Sequence, residues 1–164
     1  MKDDFEALLT QYAPLLSRVA SGYEANETLR DELVQEIALA VWQSLQRFEG
    51  RSNIKTYILK VAHNRAVSHV ARQVRQPASD TFDDDVHTAD APDSVSQQLE
   101  QAEATERLLC AIRRLPVQSR QVVILSLEDL TYEEISDVCG LTVNHIGVML
   151  NRARATLKKE LTNA

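Results

Sequence analysis

The chain has 164 residues, and its 18 basic and 24 acidic side chains give a formal net charge of −6 at pH 7. This charge argues against unspecific binding to nucleic acid, and the acidic, amphipathic start MKDDFEALL is unlike a signal peptide. No stretch is apolar enough to span a membrane, and apolar residues three and four positions apart predict an all-α, cytoplasmic protein.

The first 76 residues contain the pattern of three amphipathic helices joined by short loops, which is typical of a compact bundle. The first helix covers about residues 4–21, and Pro14 inside it should kink or split it. The second covers about residues 27–45, and the third about residues 54–74. Candidate caps are Asn26 or Thr28 for the second helix and Ser52 or Asn53 for the third.

The second and third helices differ in the charge of their polar sides. The predicted buried side of the second helix consists of Leu29, Leu33, Val34, Ile37, Val41, Trp42 and Leu45. Its opposite side is acidic and consists of Asp31, Glu32, Gln35 and Glu36. Residues 51–75 contain six bases and no acid, which is the charge that a nucleic acid would meet. The outward side chains predicted for the third helix are Lys55, Lys60, His63, Asn64, Arg65, His69 and Arg72.

Residues 77–94 are predicted to form an acidic linker between two helical bundles. The surrounding residues 76–99 hold six aspartates and no base, and the segment shows no apolar periodicity. Such a segment cannot bury enough apolar surface to fold, and its own repulsion extends it. The relative placement of the two bundles is therefore not fixed by the sequence.

The last seventy residues predict a second bundle that ends in a helix-turn-helix. Helices are expected over about residues 95–115 and 117–128, separated by Pro116. Thr131 and Glu134 then form a capping box, Gly140 supplies a left-handed turn, and Thr142 caps the last helix. The inward face of that helix is Ile146, Leu150, Ala153 and Leu157. Its basic end favours nucleic-acid binding over a plain packing unit.

No constellation of residues points to catalysis. The four histidines are scattered, and no catalytic triad, glycine-rich phosphate loop or metal-ligand spacing occurs. Cys110 and Cys139 are isolated within helical apolar patterns, which predicts buried thiols rather than a redox or metal site. We therefore expect no catalytic residue, no metal ion and no cofactor.

Two stretches resemble the extracytoplasmic-function (ECF) group of bacterial RNA polymerase sigma factors. DELVQEIALAVW and LQRFEGRSNIKTYILKVAHNRAVSHVAR are similar to the second conserved region of sigma factors. RLLCAIRRLPVQSRQVVILSLEDLTYEEISDVCGLTVNHIGVMLNRARATL is similar to the fourth region. The resemblance implies a region-2-like domain over residues 1–76, the linker over 77–94 and a region-4-like helix-turn-helix domain over 95–164.

The resemblance implies a protein that is not an enzyme but binds core RNA polymerase and directs transcription initiation at particular promoters. The acidic side of the second helix would dock on the β′ coiled coil of the polymerase. Phe48, the loop to Asn53 and Asn64 would form a pocket for a flipped-out promoter base during melting. The whole set implied for the minus-ten element is Phe48, Arg51, Ser52, Asn53, Lys55, Tyr57, Lys60, His63, Asn64, Arg65 and Arg72.

The second bundle would read the minus-thirty-five element and touch the polymerase β flap. Its implied DNA-binding residues are Thr131, Thr142, Asn144, His145, Val148, Met149, Arg152, Arg154 and Lys158. Val148 and Met149 depart from the family pattern. Apolar side chains at these positions can contact a thymine methyl or a sugar, but they cannot hydrogen-bond guanine. We expect a divergent or weakly read upstream element, or a face that also meets an inhibitory protein.

The resemblance further implies an anti-sigma factor as a partner. We also expect no membrane insertion, and a monomer when the chain is free of partners. The acidic linker is either a spacer or a segment that threads the cleft of the polymerase and mimics nucleic acid. The competing function is a stand-alone helix-turn-helix regulator of duplex operators. That function would leave the basic third helix unexplained.

Overall fold

A computed structural model describes residues 2–51, 53–75 and 96–162, and within these ranges the backbone forms seven α-helices and no strand. The helices are α1 (Lys2–Ser21), α2 (Glu27–Leu45), α3 (Ile54–Arg75), α4 (Ser96–Arg113), α5 (Val117–Leu127), α6 (Tyr132–Cys139) and α7 (Val143–Thr162). Helices α1–α3 form the N-terminal bundle, and α4–α7 form the C-terminal bundle. The predicted all-α architecture is confirmed, whereas the acidic linker lies outside the described residues.

Helices α2 and α3 of the N-terminal bundle begin at predicted caps. The side-chain oxygen of Asn26 accepts the amide of Leu29 at 3.0 Å, and that of Asn53 accepts the amide of Lys55 at 2.8 Å. Pro14 was predicted to kink or split α1, and the split is wrong, because α1 continues through the proline. The proline ring lies on the exposed side, where the carbonyl that loses its amide partner can face water.

The core of the N-terminal bundle confirms most of the predicted apolar face of α2, including Leu33, Ile37 and Val41. Trp42 is an exception, because 43% of it is exposed and its ring meets Phe5 edge-on, with the centroids 6.1 Å apart. A tryptophan one position after Val41 stands at the flank of the buried stripe rather than in its centre. The prediction that Trp42 is buried is therefore wrong.

Two histidines of α3 that were expected to face outward are buried. His63 is fully buried, with its Nδ1 2.8 Å from the hydroxyl of Tyr23, and burial lowers its pKa to about 3. His69 is also buried, and its Nε2 lies 2.8 Å from a carboxylate oxygen of Glu24. The segment between α1 and α2 folds over this side of α3 and supplies a polar partner for each ring.

The helix-turn-helix has the predicted local structure. The hydroxyl of Thr131 accepts the amide of Glu134 at 3.2 Å, and the carboxylate of Glu134 accepts the amide of Thr131 at 3.0 Å. Gly140 is left-handed with φ of +71°, and the hydroxyl of Thr142 accepts the amide of His145 at 3.1 Å. All four residues of the predicted inward face of α7 are buried.

The prediction of two buried thiols is wrong for Cys110, which is exposed on the outer side of α4. Cys139 is half-buried, and desolvation raises its pKa to about 11. The first part of α4, residues 96–107, is exposed along its whole length, so its apolar pattern is not used for the core.

The two bundles pack against each other, and their buried residues form one continuous hydrophobic cluster. Gly22, after α1, makes this approach possible, because a Cβ at this position would lie 2.4 Å from the side chain of Ile124 in α5. Helix α3 contacts both α5 and α6. Among the described helices, none has the length and apolarity that crossing a membrane requires.

Candidate nucleic-acid interface

A small open hollow of about 180 Å³ lies where α2 leads into α3 and is lined by Arg47, Phe48, Glu49, Arg51 and Tyr57. The rings of Phe48 and Tyr57 are tilted by 42°, with their centroids 4.9 Å apart. Their two faces form an aromatic wall. Such a wall, with arginine side chains beside it, suits an unstacked base and its phosphate.

The backbone fixes the aromatic wall of this hollow. The hydroxyl of Tyr57 donates to the carbonyl of Ser44 near the end of α2 at 2.8 Å, and the amide of Phe48 donates to the carbonyl of Leu45 at 3.2 Å. Gly50 has a φ of +76°, which lets the chain turn towards α3. Glu49 and Arg51 form an exposed ion pair at 3.1 Å across the mouth of the hollow.

A polar track continues from the hollow along α3. Lys60 and Asn64 follow Tyr57 at spacings of three and four residues, so they share its face of the helix, and both are exposed together with Arg65. His63 points into the core and cannot touch a nucleic acid without unfolding. Of the predicted minus-ten residues, Ser52 lies outside the described residues.

Two basic residues at the ends of this track already have protein partners. The ammonium group of Lys55 donates to the backbone carbonyl of Glu128 at 2.8 Å, and Arg72 pairs with Glu36 at 2.8 Å. Arg72 stands fifteen residues after Tyr57, about 22 Å along the helix axis, so the structure does not bring it to the hollow.

The acidic side of α2 forms a second surface. Asp31, Glu32 and Gln35 are exposed, and Glu36 is half-buried beside Arg72. The same face continues into two exposed apolar residues: Leu39 at 55% exposure, which the sequence did not mark, and Trp42 at 43%, which was predicted to be buried. Exposed apolar residues rimmed by charge are typical of a protein-binding surface.

The outward side of α7 is the third surface. Asn144, His145, Val148 and Arg152 are exposed on it, as are Arg154 and Lys158 nearer its end. Met149 is half-buried and packs against the core, so its predicted outward position is wrong. The hydroxyl oxygen of Thr131 is occupied by the capping bond, although the residue is exposed.

Sequence reasoning missed two features of these surfaces. Arg47 lines the hollow, and the sequence signal that could have identified it is a basic residue directly before Phe48. Arg18 in α1 bonds the carboxylate of Glu128 with its Nε at 2.6 Å and its Nη2 at 3.1 Å. No local sequence pattern predicts a contact between residues 110 positions apart.

Comparison with known families gives two matches in chain order. The family described as sigma-70 region 2 matches residues 8–76, which hold the hollow and the acidic side of α2. The family described as sigma-70, region 4 matches residues 105–157, which hold the helix-turn-helix.

Similar proteins match along nearly the whole chain. The RNA polymerase sigma factor YlaC of Bacillus subtilis is 28% identical over 99% of this chain and 95% of that protein. The ECF RNA polymerase sigma-E factor of Haemophilus influenzae is 23% identical over 98% of this chain and 88% of that protein.

Two solved structures share the fold. CnrH, in complex with the cytosolic domain of CnrY, has a TM-score of 0.71 and 21% identity, covering 99% of this chain and 90% of that one. RpoE of Bartonella quintana, in complex with the anti-sigma factor NepR, has a TM-score of 0.71 and 18% identity, covering 97% of both chains. Both sigma-factor regions in the family's order, together with relatives that match over nearly their full length, show that this chain belongs to the ECF group of bacterial RNA polymerase sigma factors.

Proposed function

We propose that the chain binds core RNA polymerase, selects promoters and helps to open the duplex at the minus-ten element. Sigma factors are regulators of transcription rather than enzymes, and they act where the polymerase acts, which in bacteria is the cytoplasm. The observation that carries the melting role is the aromatic hollow at the start of a basic helix. Opening a duplex is more favourable when an unstacked base has an aromatic surface to rest on.

The hollow and the polar track of α3 have separate tasks in this proposal. Phe48 and Tyr57 stack on a base that leaves the duplex, and Arg47 and Arg51 at the mouth hold the phosphates beside it. Lys60, Asn64 and Arg65 guide the strand along α3. Because the bond from Tyr57 to Ser44 positions the aromatic wall before a base arrives, the entropic cost of binding is reduced.

The acidic side of α2 is proposed to dock on the coiled coil of the β′ subunit. The exposed carboxylates of Asp31 and Glu32 would steer the chain to a basic partner, and Leu39 and Trp42 would supply apolar contact area. The pair between Glu36 and Arg72 links this docking surface to α3, which carries the strand-binding track.

The C-terminal bundle is proposed to place α7 in the major groove of the minus-thirty-five element and to touch the β flap. Asn144, His145 and Val148 lie where base edges would be, while Arg152, Arg154 and Lys158 meet phosphates. Since Val148 can contact only a thymine methyl or a sugar, we expect modest discrimination between upstream sequences.

An anti-sigma factor is proposed as the natural inhibitor. Both similar solved structures are complexes of a sigma factor with another protein, the cytosolic domain of CnrY in one and the anti-sigma factor NepR in the other. The exposed Val148 face and the exposed apolar residues of α2 are the surfaces on which such a partner would compete with DNA or polymerase.

Run-off transcription tests the proposal. Core RNA polymerase is supplied with a library of promoter fragments, with and without the chain, and the start sites are mapped. Specific starts that require the chain are expected, and their aligned upstream sequences give the two elements. A chain that shifts duplex DNA alone, but neither binds core polymerase nor starts transcription, would show that the stand-alone regulator is the correct function.

A further inference from the structure

The first three turns of α4, residues 96–107, are exposed on every side. We call them the acidic segment, and even the apolar Leu99 within it is 41% exposed. Isolated helices of this length are only marginally stable in water, and a helix in a protein gains most of its stability by packing one face. A surface that packs on the acidic segment would therefore stabilise it.

The acidic segment has an apolar strip with carboxylates beside it. Leu99 and Ala102 are three residues apart and share one side of the helix, where Glu103 lies one turn after Leu99. Glu106 is bonded to Arg113 at 3.0 Å. Among the described residues, neither Glu103 nor the nearby Glu100 has a hydrogen bond or an ion pair. A surface that matches this segment must be apolar and basic.

A shallow groove of this kind lies at the end of α7. It has a volume of about 440 Å³ and is lined by Arg154, Leu157, Lys158, Leu161 and Thr162. We call it the basic groove. Its floor is apolar, 40% of Leu161 is exposed, and the side chains of Arg154 and Lys158 are exposed at its rim.

The acidic segment and the basic groove have opposite charges. Residues 96–107 contain three acids and one base, whereas residues 154–161 contain three bases and one acid. Opposite charges at two apolar surfaces orient the contact and disfavour other partners. The two surfaces therefore match in both charge and apolar character.

The acidic segment does not cover the groove of its own chain, because both the segment and Leu161 stay exposed. Helix α4 is continuous from Ser96 to Arg113, and Ile112 near its end is buried in the core. The segment could fold back onto its own groove only if α4 broke. A second copy of the chain has no such constraint.

We propose that two copies of the chain associate through their C-terminal bundles, with the acidic segment of each in the basic groove of the other. The two contacts are equivalent, so the dimer closes with two-fold symmetry. In each contact Leu99 packs on Leu161, and Glu103 lies between Arg154 and Lys158. The interface is small, and we expect a dissociation constant on the order of 10 μM.

This inference goes beyond the proposed function and does not rest on it. The monomer expected from the sequence is then the state of the dilute chain. Arg154 and Lys158 are also the bases that the proposed function assigns to phosphates. The dimer and a promoter bound at α7 therefore exclude each other.

Sedimentation equilibrium of the full chain, without polymerase or DNA, tests the proposal. A monomer–dimer equilibrium is expected at micromolar concentrations, and added salt should shift it towards the monomer, because the charged contacts are exposed. A reducing agent is present throughout, since the exposed thiol of Cys110 could otherwise join two copies covalently. A chain that stays monomeric at several hundred micromolar overturns the proposal.

Charge reversals test which residues meet. Glu103→Lys and Lys158→Glu each place like charges in both contacts, so each should weaken the dimer about tenfold. The double variant restores opposite charges and should dimerise within about threefold of the original chain. The control is Glu133→Lys, which makes the same charge change at an exposed position of α6 and should have little effect.

Recovery in the double variant supports the proposed pairing. The proposal is wrong if both reversals leave the dimer intact, or if Glu133→Lys weakens it as much as Glu103→Lys does, because net charge alone would then govern association. Run-off transcription reports separately on the proposed function. A monomeric chain that starts transcription disproves only the dimer, and a dimeric chain that fails to bind core polymerase disproves only the proposed function.

Discussion

The two bundles each present a basic helix to solvent, but they prepare its side chains differently. In α3, Lys55 and Arg72 have protein partners, and just before α3 Arg51 is paired beside an aromatic hollow. In the described part of α7, the side chains of Arg152, Arg154 and Lys158 are exposed and form no hydrogen bond or ion pair. The first surface is a shaped pocket, whereas the second is a line of exposed charges.

This difference indicates different kinds of recognition. In the proposed function, a pocket fixed by the bond from Tyr57 to Ser44 favours one base in one position, so damage to it should act on a single step of initiation. Unpaired charges attract any phosphate, so their loss should weaken binding to all DNA sequences equally, and the size of this effect should depend on salt. The following experiments test this division.

The largest effect is expected from Phe48→Ala, which removes one wall of the hollow. Loss of stacking should reduce transcription from duplex promoters about ten- to a hundredfold. Templates opened beforehand around the minus-ten element should restore most of the activity. Tyr57→Phe is the graded comparison, because it keeps the ring but loses the bond to Ser44 that fixes the wall, so its defect should be smaller than that of Phe48→Ala. An equal defect on opened and closed templates would contradict a role in melting.

The second experiment concerns acid sensitivity, which we place in the N-terminal bundle. Burial lowers the pKa of His63 to about 3, so the folded state keeps it neutral while the unfolded chain binds a proton below about pH 6.5. This contribution to stability is complete above pH 6.5 and falls as the pH drops towards 3. Between pH 6.5 and 5 the free energy of unfolding should fall by about 2 kcal/mol.

Denaturant titrations at several pH values measure this slope. His63→Gln should lower stability near neutral pH but remove most of the pH dependence. His145→Gln, at an exposed position of α7, should retain the dependence. An unchanged slope in His63→Gln would mean that another group is responsible.

A third, smaller effect is expected in the C-terminal bundle from Gly147→Ala. A Cβ there would make an ordinary contact with Tyr132 at 3.5 Å, and alanine favours a helix over glycine by about 1 kcal/mol. Thermal unfolding should show stabilisation of that size. Gly140→Ala is the opposite control, because Gly140 has a φ of +71° and a side chain there is strained. Stabilisation by both substitutions would contradict the geometry of the turn.

The smallest effect is expected from Arg154→Gln in α7. Loss of one phosphate contact should weaken promoter binding about threefold at moderate salt and reduce the slope of log affinity against log salt by about 1. The order of preference among promoters should not change. Arg114→Gln, an exposed base after α4, is the control. A changed promoter preference would mean that Arg154 contacts a base rather than a phosphate.

Local signals were sufficient for the helix-turn-helix. The capping box of Thr131 and Glu134, the left-handed Gly140 and the inward face of α7 depend on residues within a few positions of each other, so the sequence predicts them directly. The same holds for Asn26 and Asn53 as caps. Each motif satisfies backbone groups nearby, and no distant neighbour is needed.

Long-range neighbours account for the failures. His63 has the sequence context of an outward residue, and only Tyr23, forty positions away, makes its burial tolerable. Trp42 stands at the edge of the apolar stripe of α2, where burial depends on how far the neighbouring helix extends over it. The bond between Arg18 and Glu128 depends on how two separately predictable bundles meet, which their local patterns do not encode.

The exposed first half of α4 has a consequence for the free energy with which the two bundles stay in contact. Residues 96–107 form a rod of about 18 Å that carries the attachment point of the chain away from the C-terminal bundle. Because the bundles are covalently joined, each meets the other at an effective concentration on the order of millimolar. Contacts far too weak to join two separate molecules can therefore hold this chain closed. Cleavage between residues 76 and 95 would turn the same interface into a bimolecular encounter, whose occupancy depends on the protein concentration.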